Sequence, residues 1–98
     1  MNFETFQTED RRLVLLRALS AAAEYRANAF LLRTYCDTVG HTVSSDRLAA
    51  DVAWLDEQGL VKSVAQAGVL VATLTERGLD AAQGRARVPG VARPRPGV

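Results

Sequence analysis

The residues with the most chemical potential lie in one short stretch. Ser44-Ser45-Asp46-Arg47, followed by Ala50 and Asp51, sets hydroxyls and a guanidinium at the start of an amphipathic segment. Serine hydroxyls can donate to phosphate oxygens, and an arginine can take the O6 and N7 of a guanine. On a helix entering a major groove, Ser45, Asp46, Arg47, Ala50 and Asp51 would occupy the side that meets base edges, with Ser44 on a phosphate. The bland alternative is a solvated face. Asp46 and Asp51 flank Arg47, Asp56 and Glu57 follow, and carboxylates repel phosphate. Lys62 and Gln66 are the further candidates for DNA contact. They are sparse for that role, so a purely structural segment is the stronger reading there.

Other chemistries find little support. Cys36 and His41 are five residues apart, and one metal needs three or four ligands, so no metal or cofactor is expected. Cys36 reads as a small buried hydrophobe. With one histidine and one cysteine there is no nucleophile–base arrangement, no phosphate-binding glycine loop and no carboxylate pair in a cleft. The chain is expected not to be an enzyme and to have no small-molecule substrate.

Charge is unevenly placed. Residues 1–84 hold eight Arg or Lys against all eleven Asp or Glu, a net of −3. Residues 85–98 hold Arg85, Arg87, Arg93 and Arg95 with no acid, a net of +4. Phosphate affinity comes mainly from cations, so Arg85 and Arg87 join the candidate DNA contacts. The alternative is a solubilising extension. Ninety-eight residues make one domain. A single cysteine rules out an internal disulfide and fits a reducing compartment. The first ten residues are not expected to act as a signal peptide, and no apolar run nears the roughly 18 residues of a membrane span. The cytoplasm is the expected location, with no membrane partner.

The elements that must position these residues follow from periodicity. Thr8 is expected to cap a first helix running to about Tyr25. Leu13, Leu16 and Leu19 form its inner stripe, with Leu15 beside them, and Arg11, Arg12 and Arg17 take the wetter side. Asn28 caps a second helix with Leu32, Tyr35, Cys36 and Val39 on one face, closed at Gly40. Ser44 caps a third over about 44–58. Val43 and Leu48 staple its start, and Leu48, Val52 and Leu55 point inward. Gly59 ends it and lets Leu60 fold back on Leu55. Trp54 lies off this stripe, either packed within the domain or serving as an interface anchor.

After Gly59 the period changes. Residues 60–64 and 69–74 read as a β-hairpin around a turn at 65–68. Thr75 then caps a short helix through Leu79, Ala81 and Ala82 to Gly84. From Arg85 onward, three prolines and four arginines read as an extended, mobile tail. The expected architecture is therefore mainly α with a small β-hairpin: a winged helix-turn-helix over 1–84 and a disordered basic tail over 85–98. Leu13, Leu16, Leu32, Leu48, Val52, Leu55, Leu60 and Leu74 are its expected core.

The stretch from Ser44 through Leu48, Val52-Ala53-Trp54-Leu55 and Gly59-Leu60-Val61 resembles the recognition-helix-to-wing passage of ArsR-type winged-helix regulators. The whole chain is more closely similar to a family of small proteins of Mu-like phages and prophages that often carry the ArsR label. The matching motifs are Thr8-Glu9-Asp10-Arg11-Arg12-Leu13-Val14, Ala53-Trp54-Leu55 with Gln58-Gly59-Leu60-Val61, Leu74-Thr75-Glu76-Arg77-Gly78-Leu79-Asp80, and Val88-Pro89-Gly90-Val91 with Arg93-Pro94. The metal-sensing cysteine pairs and His–carboxylate clusters of ArsR proteins are missing, so the resemblance implies fold and not metal sensing. It implies a transcription-regulator-like protein that binds double-stranded DNA. The acidic body keeps open a winged helix used for protein contact in phage morphogenesis or DNA packaging, with a homodimer or a phage protein as partner.

Overall fold

Asn2 opens the first helix. In the computed structural model, which describes residues 2–96, α1 spans Phe3–Ala21 and the Asn2 side chain accepts from Thr5 N at 2.8 Å. Thr8 is not the cap: its hydroxyl donates to Glu4 O at 3.0 Å. Neither glycine nor proline lies between Asn2 and Thr8 to stop helix growth upstream. The helix also ends earlier than expected. Ala22 is extended, and Ala23–Tyr25 forms a tight 3-10 turn with Glu24 and Tyr25 at φ +56° and +58°.

That turn delivers a strand absent from the sequence reading. β1, Arg26–Asn28, pairs antiparallel with the second strand of the hairpin. Asn28 then caps α2, Ala29–Thr38, accepting from Leu31 N at 2.8 Å. Gly40 at φ +95° closes it, with His41 N on Cys36 O at 2.8 Å and Gly40 N on Asp37 O at 3.2 Å. Of the expected inner face, Leu32 and Cys36 are buried, while Tyr35 and Val39 are each 46% exposed.

Ser44 caps α3, Ser45–Glu57, by accepting from Arg47 N at 3.0 Å. Gly59 closes it at φ +75°, and Leu60 N returns to Leu55 O at 3.0 Å. The hairpin follows as β2, Val61–Gln66, and β3, Val69–Leu74. Its turn is only Ala67-Gly68, both at positive φ, a geometry whose twist suits the flanking strands. Ala65 and Gln66, read from sequence as turn, therefore pair with Leu70 and Val69. The sheet order is β1-β3-β2.

α4, Glu76–Ala82, is capped by Thr75, whose hydroxyl accepts from Gly78 N and donates to Gly59 O at 2.7 Å. A Cβ on Gly78 would lie 2.0 Å from Leu60 O and 2.7 Å from Leu74 Cδ1, so α4 rests directly on the hairpin's base.

All eight expected core residues are buried, Leu74 being the most exposed at 8%. The architecture is mixed α/β rather than mainly α with a lone hairpin. Among the described residues, four α-helices and a three-stranded antiparallel sheet stand in an order compatible with a winged helix. Arg11, assigned to the wet side of α1, is buried beside the core.

Residues 85–96 form neither helix nor strand, yet they are not an unpacked tail. Val88 and Val91 are buried in the main core, and Ala92 N donates to Glu9 O of α1 at 3.1 Å. Two valines among the prolines and glycines bury enough surface to hold the segment as a strap. The last two residues of the expected tail, 97 and 98, lie outside the described residues. Among the described residues no helix is long and apolar enough to cross a membrane.

Candidate nucleic-acid interface

The first turn of α3 collects the sequence candidates. Ser44, Ser45, Arg47 and Ala50 are all exposed on it. The structure adds Arg33 from α2, whose Nε donates to Val43 O at 3.0 Å and whose Nη1 donates to Ser45 Oγ at 3.1 Å. Arg33 thus bridges the turn between α2 and α3, and its guanidinium remains exposed. No local signal in the sequence marks Arg33 for this role, because its partners lie ten and twelve residues on.

In the middle of α3 the exposed side chains are small. Ala49, Ala50 and Ala53 leave the helix backbone close to the surface. The acids that weigh against phosphate in the sequence are partly withdrawn. Asp51, expected among the base-facing residues, is instead 3% exposed and ion-paired with Arg11. Asp56 accepts from Ser63 N at 2.9 Å and from Ser63 Oγ at 2.7 Å. Those two bonds, with Lys62 nearby, hold its carboxyl below the usual range. Asp37 accepts from Thr42 Oγ1 at 2.7 Å. Asp46 and Glu57 remain exposed on α3.

The other candidates are placed elsewhere. Lys62 lies by Asp56, near the far end of α3 and about 16 Å along the helix axis from Ser45. Gln66 accepts from Arg26 Nη2 at a long 3.4 Å, so Arg26 of β1 reaches across β3 to β2. Arg85 is ion-paired with Asp80 at 2.9 Å and also bonded to Gln83. Arg87 is exposed on the strap.

Trp54 is packed within the domain. The Arg12 guanidinium stacks 3.8 Å above its ring, and Gly90 of the strap lies against its edge. Arg12 Nη1 donates to Gly90 O at 3.0 Å, whereas Nε is buried with no hydrogen-bond partner among the described residues. Burial lowers the pKa of Arg12; Asp51 offsets this in part, while Arg11 and Arg47 reinforce it.

Among the described residues no group of three or more His, Cys, Asp or Glu converges. His41 Nε2 contacts Asp10 Oδ2 at 2.6 Å, and Cys36 is buried with its thiol pushed up to about 11, chiefly by loss of solvent.

Comparison with known proteins points in one direction. Over 89 residues, 91% of this chain and 92% of the relative, the chain is 51% identical to gp26 of Escherichia phage Mu, described as an uncharacterized protein. Over 80 residues, 81% of this chain and 78% of the relative, it is 40% identical to an uncharacterized protein of Haemophilus influenzae. No family model matches the chain, and no solved structure matches it.

Proposed function

Because the chain belongs to the family of phage Mu gp26, we propose that it serves a Mu-like phage or prophage as a winged-helix protein that binds duplex DNA. In this reading α3 is the recognition helix and β2–β3 the wing, as the likeness of 44–61 to ArsR-type regulators also suggests. Transcription regulation is the role that goes with it.

The observation that carries the proposal is the bridge from Arg33 to Val43 and Ser45. It sets one arginine from α2 on Ser45, at the start of the helix that also carries Arg47, ahead of the exposed Ala49, Ala50 and Ala53. Two guanidiniums and two serine hydroxyls anchor phosphates. The small residues behind them let the helix sink into the major groove. The strap arginines are a lesser contribution, because Arg85 is already paired with Asp80.

The test is a salt titration of binding to a generic 20-base-pair duplex. Each lost phosphate contact lowers the salt slope by about 0.9. The Arg33→Ala/Arg47→Ala double variant is therefore expected to lower it by about 2 and to weaken binding at every sequence. Absence of binding at low salt, or a double variant that binds as well as the parent, overturns the proposal.

A further inference from the structure

The flank of α2 opposite Arg33 stands open to solvent. Leu31, Tyr35 and Val39 follow one another at four-residue spacing, so they form one apolar ridge along the helix. They are 56%, 46% and 46% exposed. The charged residues of α2, Arg33 and Asp37, lie on the other flank, beside the turn into α3.

Beside the ridge is a cleft of about 300 Å³, between the C-terminal end of α1 and α2. Ala18, Ala21, Ala22 and Ala27 line it, and Leu31 and Tyr35 border it. Its one charged lining residue, Arg17, already has a partner within the domain. Small-molecule pockets run from roughly 300 to 1,000 Å³, so this hollow lies at the bottom of that range and better suits a large side chain.

We propose that this face is a homodimer interface, with a second copy of the chain as its occupant. Shape and charge both select that occupant. An apolar ridge and an apolar hollow lie side by side on one surface. A twofold axis passing between Leu31 and Tyr35 lays the two α2 helices antiparallel. Leu31 of each copy then meets Tyr35 of the other, and each ridge turns toward the other copy's cleft, the reciprocal contact of a twofold interface. The ridge carries no charge and Arg17 is already engaged, so an acidic or basic partner would find no counter-charge here. A second copy brings the same neutral surface and meets no repulsion. Arg33 and the start of α3 stay free on the opposite flank, so the interface stands independently of DNA binding.

The test is sedimentation equilibrium of the full chain from about 1 μM to about 1 mM, the range in which a small interface associates. The expected species has twice the 10.6 kDa of one chain. Leu31→Glu and Tyr35→Lys should each weaken the dimer at least tenfold. Both side chains are about half exposed, so circular dichroism should be unchanged. Mixed one to one, the two variants should associate at least tenfold more tightly than either alone. In the mixed dimer one Leu31–Tyr35 contact stays native and the other becomes an ion pair. Arg33→Ala/Arg47→Ala should leave the dimer intact while altering DNA binding. A parent chain still monomeric at about 1 mM overturns the proposal. So does a dimer that both ridge variants leave intact, or a mixture no tighter than its components.

Discussion

Arg11 of α1 and Asp51 of α3 meet inside the core as a two-point ion pair, Nη2 to Oδ1 at 3.1 Å and Nε to Oδ2. Both are almost fully enclosed. Removing one partner strands the other charge away from water, a loss of about 3–5 kcal/mol. Asp51→Asn or Arg11→Met is expected to lower stability by that order in urea melts. The Arg11→Met/Asp51→Leu double variant should recover most of it. A double variant as unstable as the sum of the singles would deny the coupling.

Leu55 is 1% exposed, and its carbonyl receives Leu60 N. Leu55→Ala should cost about 2–5 kcal/mol, since it leaves a cavity beneath the base of the hairpin. A loss under about 1 kcal/mol in denaturant melts would contradict this packing.

Gly90 has φ +93°, and a Cβ there would stand 2.7 Å from Trp54 Cζ2. Gly90→Ala is expected to lift the strap off the ring. The left-handed backbone alone disfavours alanine by about 1–3 kcal/mol. Trp54 emission should shift to the red and the melting temperature should fall. Unchanged emission would mean that the strap does not cover Trp54.

The Cys36 thiol, raised to about 11 by burial, is expected to resist thiol reagents. At pH 8 about 0.1% would be thiolate, against about a quarter for a thiol with an ordinary pKa near 8.5. The folded state favours the protonated form. Its contribution to stability is therefore complete below about pH 8.5 and lost as pH rises toward 11. Labelling rates in native buffer and in urea check this; equal rates refute it.

Asp56 titrates in the opposite sense. Its carboxyl is held low by Ser63, so its contribution is present above about pH 3.9 and fades as pH falls through the depressed value. In Ser63→Ala, which removes the hydroxyl bond, NMR titration should find the Asp56 pKa moved upward. An unchanged value would contradict the Ser63 contact.

Local signals were legible in the sequence. Asn28, Ser44 and Thr75 cap where their side chains reach the next free N–H, and Gly40 and Gly59 close helices by backbone freedom alone. Thr8 misled because Asn2, six residues earlier, holds the same chemistry at the true start. β1 was invisible because three residues carry no readable period and its pairing is with Ala72, forty-five residues on. A separation of forty residues hid the Arg11–Asp51 pair in the same way, so Asp51 was set on a wet face. Of the candidate site, Ser44, Ser45, Arg47 and Ala50 were within reach of helical spacing. Arg33 was not, since its role depends on how the α2–α3 turn brings Val43 and Ser45 to it.

The seat of α4 on the hairpin carries an evolutionary consequence. At Gly78 any side chain would enter the Leu60 carbonyl, which itself receives Thr75 N. No compensating change in a neighbouring side chain can relieve a clash with backbone. As related chains diverge, the exposed faces of α2 and α3 can drift to suit new partners, while Gly78 is expected to change last. An alignment deep enough to vary Leu31 and Arg47 should still show glycine there, and lineages without it should have lost or moved the final helix.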